Sequence, residues 1–405
     1  MPRKTKKNVI FLITQVLGEV AAKRLKELRS DINAYVFCLS DSEIADCIRL
    51  ESGKEFQTIV NYMSDKKVDA VVNRGDSLEA LYGRLVDFYK VAGTGYKSVL
   101  SVKNKANLQK IVEENGLTSA RPKTQVVALA EAQSALADSK LPVVVKPCVG
   151  AKSRGVIKIS RKSQIGPALQ LLQHHFTKEK SLINRSLKNK MVLVEEFIEG
   201  KQFSCTCFVD ALGNLRIINF VDIVNAQELG YKHMQLVFRS SPSQLDEVIL
   251  QQAKHILQKI VRLAKIKSTC LHPEFFVINR KVLLIEINLR IGGFRLELLK
   301  LSTGIDLEKI AVELALGEVI KEDSFFAKNA TACEVWSDES GVIKRIELPK
   351  SRYTVSQEKC FKPGQMYQAP PMGNRPLAKF FVSTQKDSLA IARNILDRTK
   401  LAFQA

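Results

Sequence analysis

Apolar and polar positions alternate in two rhythms over the first hundred residues. Residues 8–14, 34–39 and 68–73 are apolar runs of strand length, while 18–28 and 78–91 carry apolar residues at helical spacing. Strands separated by helices predict a parallel sheet. The turn after the first run, Gln15-Val16-Leu17-Gly18, lacks the glycine fingerprint of a dinucleotide site, and Gly93-Thr94-Gly95 fails it too. A scaffold or a substrate-side wall is the expectation for this unit. Residues 101–116 follow as one helix, with Ser101 as N-cap, Gly116 as stop and Val102, Leu108, Ile111 and Val112 as its apolar face. Lys103 and Lys105 lie in its first turn, where a cation opposes the helix dipole; they either face solvent or serve an anion.

Beyond residue 123 the pattern changes. Strand-length runs at 142–147, 155–160 and 191–195, with a helical stretch at 165–176, predict a small α+β unit. A hairpin over 203–224, turning at Gly213-Asn214, precedes an amphipathic helix at 243–265. Residues 297–301 and 307–316 read as helices stopped by Gly304 and Gly317, and 330–405 as a cap of strands with a final helix at 388–398. The expected division is 1–98, a linking helix at 99–123, then 124–198, 199–325 and 326–405.

The stretch richest in chemistry is 270–293. Residues 275–278 and 282–287 are apolar, β-rich runs, with Asn279, Arg280 and Lys281 between them as the turn. Successive side chains on a strand point to opposite faces. Glu286 and Asn288 therefore share one face, and Ile285 and Ile287 share the core face. A hairpin folded about Arg280 sets Glu274 opposite Glu286; a turn one residue shorter sets Ile287 there instead. Two carboxylates and an amide oxygen on one strand face repel and desolvate one another. A hard dication relieves both, and Mg²⁺ takes oxygen ligands, usually one or two carboxylates plus nucleotide phosphates. Arg290 continues the same face and keeps its charge, so it suits a phosphoryl or carboxylate oxygen. A strand end with solvated Glu and Asn is the plain alternative.

Composition narrows the class. The chain has 405 residues, 45% hydrophobic and 26% charged, which suits a globular protein of two to three domains. No apolar run reaches the ~18 residues of a membrane helix. The basic start is followed by an apolar run too short for a signal peptide, so 9–14 is expected as a buried strand in a cytoplasmic protein. Eight scattered cysteines, with only Cys205 and Cys207 close together, suggest reduced thiols and no zinc site. The net charge of +20 is spread along the chain without interleaved aromatics, which favours diffuse surface charge over a nucleic-acid partner.

Two further segments carry candidate chemistry. Lys146 ends a strand and precedes Cys148-Val-Gly150-Ala-Lys152-Ser153-Arg154-Gly155, a loop whose backbone N–H groups can cradle phosphate while Lys146 adds a point charge. It is not a P-loop, since no helix follows it directly; most such loops are only turns. The strand at 191–195 runs into Glu195-Glu196-Phe197-Ile198-Glu199-Gly200, which suits a hinge offering backbone groups to an adenine ring, or an ordinary strand with an acidic end.

The order of these features resembles the ATP-grasp superfamily of carboxylate–amine and carboxylate–thiol ligases, which includes D-alanine–D-alanine ligase and biotin carboxylase. The resemblance spans about residues 100–320 and is most specific at Glu286-x-Asn288-x-Arg290-x-Gly-Gly, followed by Thr303-Gly304-Ile305-Asp306 and 314–317. It looks most like the ligases that join free amino acids. It implies an α/β and α+β multidomain chain: an ATP-grasp fold after a parallel α/β domain and before a C-terminal cap, with 124–198 as the lid and 199–325 as the metal-bearing lobe. It also implies roles. Lys105 and Lys146 contact phosphates, and Ser153, Arg154 and Gly155 close over them. Glu195, Glu196, Phe197 and Ile198 hold adenine. Glu274, Glu286 and Asn288 bind Mg²⁺, with Mn²⁺ as a substitute, and Arg290 with Lys146 serves the reaction. Gln202 stands where relatives often place a glutamate for the ribose; it hydrogen-bonds but carries no charge.

The implied activity joins a small-molecule carboxylate and an amine through an acyl phosphate, with no membrane partner and with homodimerisation left open. A kinase of the same fold and a non-catalytic nucleotide binder are the alternatives. Arg239, Arg295 and His233 are candidates for holding a substrate carboxylate, against surface roles for each.

Overall fold

A computed structural model describes residues 5–14, 18–39, 46–150, 155–178, 190–320, 328–370, 372–373 and 375–404, with backbone alone at 18–22 and 178. The first apolar runs form a four-stranded sheet in the order Ile48–Arg49, Ile32–Leu39, Lys7–Thr14, Ala70–Asn73, with every pair parallel. Val9, Ile10, Phe11, Leu12 and Ile13 are each 0% exposed. A central parallel strand is covered on both faces, which is why its sequence is an unbroken apolar run. Ile10 and Leu12 join a core that continues into Phe203, Phe275 and Ile287, while Val9, Phe11 and Ile13 join one that continues into the helix Leu307–Ala315. Apolar packing on both faces thus fixes this sheet against the 269–288 hairpin.

Four antiparallel strands, Thr124–Ala128, Met191–Glu196, Val143–Pro147 and Ile157–Ile159, make a second sheet. Leu136, Ile165, Ala168 and Leu172 from its two helices close a core of its own. The third sheet has eight strands, in the order Lys281–Asn288, Thr269–Ile278, Lys201–Val209, Leu215–Asn225, Leu236–Ser241, Asn329–Val335, Ala378–Thr384, Thr354–Lys359. The expected hairpins stand side by side at one end. The C-terminal strands extend the same sheet, because Asn329–Val335 pairs with Leu236–Ser241. The helix Glu247–Leu263 buries Ala253, Leu257 and Ile260 against one face, and Arg295–Thr303 packs Leu298 with Val221 on the other.

Three local expectations are corrected. The turn of the 269–288 hairpin is one residue shorter than expected: Ile278 pairs with Lys281, and Asn279 and Arg280 are both left-handed, with φ of 48° and 63°. Such a two-residue turn matches the twist of the flanking strands. Because Lys281, and not Asn279, leaves the turn, this register continued unchanged would set Ile285, and not Ile287, opposite Glu274. A bulge restores the lost residue, so that Phe275 pairs with Leu284 and Glu274 with Glu286. The bulge also shifts the facing: Val282 and Leu284, then Ile287 and Leu289, lie in the core, and Ile285 is pushed out of it.

The predicted helix 101–116 is two helices, Tyr96–Lys103 and Lys105–Glu114, and Ser101 caps neither. Asn104 is extended between them, its side chain accepting from the Ala106 N–H at 3.0 Å. An N-cap of this kind satisfies a donor that a new helix would leave orphaned. The break turns both flanking lysines inward, Lys103 to 6% and Lys105 to 8% exposure. Finally, Cys38 and Cys47 form a disulfide, against the expectation of reduced thiols throughout; the parallel pairing of Phe37 with Ile48 draws the two segments together. The other six cysteines are free and buried.

Candidate active site

The hairpin bulge places Glu274 and Glu286 directly opposite on one face, and each gains a neutral amide partner. Gln202 Nε2 donates to Glu274 Oε2 at 2.9 Å, and Asn288 Nδ2 donates to Glu286 Oε1 at 2.9 Å. The carboxylates differ in environment. Burial and the neighbouring Glu286 push Glu274 up to about 7. Burial also acts to raise Glu286, but Lys105 and Lys103 reverse it and hold Glu286 well below the usual carboxylate range. Lys105 Nζ lies 2.9 Å from Glu286 Oε2, and Lys103 Nζ donates to Asn288 Oδ1 at 3.0 Å.

A second buried cluster faces the first from the small sheet. Lys146 Nζ lies 2.5 Å from Glu195 Oε2, and Arg121 Nη2 lies 3.4 Å from Glu195 Oε1. Arg121 reaches across to the hairpin, donating from Nη1 to the Ile285 carbonyl at 3.1 Å. The carbonyl of the bulged residue thus anchors the chain leading into the small sheet. Burial lowers the Lys146 ammonium below its ordinary value. The first-strand unit supplies a third group. Arg290 Nε is paired with Asp76, and Lys103 lies 3.3 Å from Glu79 Oε2. The Leu289 N–H donates to Glu79 Oε1 at 3.2 Å. Glu286, Glu195, Asp76 and Glu79 therefore each meet a cation from another part of the chain, while Glu274 meets the neutral Gln202 amide.

Residues 139–297 match the family model described as an ATP-grasp domain. This central stretch of the chain has the ATP-grasp fold. The chain superposes on the L-amino acid ligase from Bacillus licheniformis with a TM-score of 0.85, covering 99% of this chain and 100% of that one at 16% identity. The biotin carboxylase domain of the Hydrogenobacter thermophilus 2-oxoglutarate carboxylase, solved with magnesium ADP, gives a TM-score of 0.68 over 97% of this chain and 90% of that one, also at 16% identity. At such identities the likeness is one of fold. An uncharacterized protein, y4rH, of Sinorhizobium fredii is 24% identical over 81% of this chain, and the match spans 62% of that protein's length.

The ATP-grasp match contains Lys146, Glu195, Gln202, Glu274, Glu286, Asn288 and Arg290; Asp76, Glu79, Lys103, Lys105 and Arg121 reach the same place from outside it. Those outside partners were the least legible in sequence. Lys103 and Lys105 stood out as cations in a first turn, but Asp76, Glu79 and Arg121 carried no local signal. Ser153 and Arg154 lie outside the described residues, and Gly155 is left-handed, with φ of 72°. Glu195 turns its side chain toward Lys146. The Glu196 carboxylate accepts from the Lys123 N–H at 3.0 Å, and Lys158 Nζ sits 3.6 Å over the Phe197 ring. The Gln202 side chain is engaged by Glu274.

The three candidates for a substrate carboxylate separate clearly. Arg239 pairs with Glu334 at 2.9 Å. His233 is buried between Tyr231 and Trp336, 3.8 Å from Asp338. Arg295 lies against the face that carries Glu274, beside Ser204 and His272. Burial, with Arg239 nearby, lowers its guanidinium to about 9. His272, two residues before Glu274, is likewise held well below its ordinary value by burial and by Arg295, and is neutral.

Proposed function

We propose that this protein is an ATP-dependent carboxylate–amine ligase, acting on amino acids or similar small metabolites through an acyl phosphate. The observation that carries the proposal is the cross-strand pairing of Glu274 with Glu286, with Asn288 beside them and two buried lysines within reach. The fold likeness to an L-amino acid ligase supports the substrate class.

The donor set fits Mg²⁺. Two buried carboxylates stand side by side, and the charge of Glu286 weakens the acidity of Glu274, a repulsion that a dication relieves. Two carboxylates and one amide oxygen suit an ion that completes its shell with phosphate oxygens and water. Glu274, Glu286 and Asn288 would hold it, and it would supply neutralisation of phosphate charge. The protein's own residues do the rest. Lys146 and Lys105 present ammonium groups to the phosphates, each held in place by a carboxylate. Asp76 orients Arg290, whose guanidinium offsets charge on the carbonyl oxygen as the amine attacks. Phosphoryl transfer asks a protein mainly for such positioning and neutralisation. Closure of the small sheet over the site would exclude the water that hydrolyses an acyl phosphate.

The test is phosphate release from ATP by the purified protein with pairs of amino acids, followed by identification of the product. Free phosphate together with a new amide supports the ligase. Phosphate retained on an acceptor identifies a kinase, and no ADP formation with any pair overturns both.

A pH dependence follows from Glu274. Its folded-state value, about 7, lies above the ordinary 4.5, so the folded protein holds an extra proton between those values. The contribution of this group to stability therefore falls as pH rises from about 4.5 to about 7 in metal-free protein. Metal needs the ionised form. Mg²⁺ affinity is expected to rise with pH up to about 7 and then level off, as measured by titration calorimetry with ADP present. Affinity independent of pH between 5.5 and 8 would remove Glu274 from the metal shell.

A further inference from the structure

Arg295 opens the helix Arg295–Thr303 and is 2% exposed. Its Nη2 donates to Ser204 Oγ at 2.6 Å and lies 3.5 Å from His272 Nε2. Nε and Nη1 are buried and have no hydrogen-bond partner among the described residues. The basic neighbours have acids of their own: Arg239 holds Glu334 and Arg290 holds Asp76. A buried charge without a partner costs several kcal/mol, and each unsatisfied buried donor about 1–3 kcal/mol. The face that carries Glu274 therefore holds a guanidinium with two buried donors that no described residue accepts.

The surrounding loop is shaped to this side chain. A Cβ at Gly292 would fall 2.5 Å from His272 Cδ2 and 2.9 Å from Arg295 Cγ, so only glycine lets the loop close on both. At Gly293 a Cβ would meet nothing within 4 Å, so the loop is tight on one side and borders open space on the other.

Resting on the ligase reading, we infer that Arg295, seated on Ser204, binds the free carboxylate of the amine-bearing substrate, which makes the acceptor an amino acid or peptide and excludes simple amines and amino-acid amides. The planar guanidinium matches a carboxylate in shape and charge. Position separates this group from the reacting carboxylate, which must meet phosphate beside Glu286, Asn288 and the lysines. Ser204 is on Lys201–Val209 and His272 on Thr269–Ile278, so Arg295 sits at least one strand away from the Glu286 strand. One strand spacing is about 4.8 Å, comparable with the span of one amino-acid unit, ~3.8 Å between successive Cα atoms. A spectator carboxylate on Arg295 thus leaves its α-amine directed back toward the metal-bearing strand.

The test is equilibrium binding to the full chain at saturating MgADP. Each of the common L-amino acids is titrated beside its own amide. At least one acid is expected to bind, with its amide at least ~10-fold weaker, as the loss of one charge-assisted contact dictates. Arg295→Gln should bind MgADP as the wild type does and weaken the acid about 10–100-fold, to the level of the amide. Arg295→Lys, which keeps the charge without the fork, should fall between them, and Ser204→Ala should weaken the acid alone; these two carry the test if the glutamine variant does not fold. An amide bound as tightly as its acid, undiminished acid binding in Arg295→Gln, or no acid binding to wild type that holds MgADP overturns the inference and leaves the nucleotide site standing. Failure of wild type to bind MgADP defeats the ligase reading itself.

Discussion

Glu286→Gln is expected to lower substrate-stimulated ADP release by about 10²–10³-fold, on the scale of removing one electrostatic contact from a reacting centre, while leaving the chain folded. Glu286 is the acid on which the site converges. It lies 2.9 Å from Lys105, accepts from Asn288 and faces Glu274 across the ladder. The amide keeps the volume and one acceptor for Lys105 but removes the charge that a dication would need. Glu286→Ala should lose as much activity and should also destabilise the fold, by about 3–5 kcal/mol, because it leaves Lys105 buried without its partner. Comparing melting temperatures of the two variants separates chemistry from folding. Wild-type turnover in either variant removes Glu286 from the site.

Lys146→Ala should weaken MgADP binding about 10–100-fold, the equivalent of one charge-assisted hydrogen bond, and abolish measurable ADP release. Its effect on stability should be the smaller one, because Glu195 keeps Arg121 at 3.4 Å after Lys146 is gone. The converse variant, Glu195→Ala, strands two buried cations at once and should be the more destabilising of the two. Titration calorimetry with MgADP and thermal unfolding read these outcomes separately. A Lys146→Ala protein that binds nucleotide normally would show that this ammonium serves only Glu195.

Much of the site was legible because its chemistry is local. Glu286 and Asn288 lie two apart on a strand, so alternation alone puts them on one face. The cross-strand partner Glu274 was placed correctly only because two departures from ideal geometry cancel: a turn one residue short and a bulge at Ile285. Sequence pattern cannot see a bulge, since an extra residue in a strand leaves the apolar rhythm readable in either register. The same limit hid the break at Asn104. The apolar positions of 101–116 fit one helix, and only the side-chain cap at Asn104, with both lysines turned inward, explains the division.

By itself the sequence determined the strand and helix alternation of the first unit, the hairpin with its acids and amide, and the order of Lys146, the glycine loop, Glu195 and the Glu286-x-Asn288-x-Arg290 strand. Each of these depends on spacing along the chain, which the residues state directly. The tertiary structure alone decided which charge meets which. Asp76 finds Arg290, Glu79 finds Lys103, Arg121 bridges Glu195 and Ile285, and Arg295 is left with donors to spare. The reason is that buried charges select partners by proximity after the sheets have packed, and the energy of such a pairing depends on desolvation and distance, neither of which is written in sequence separation.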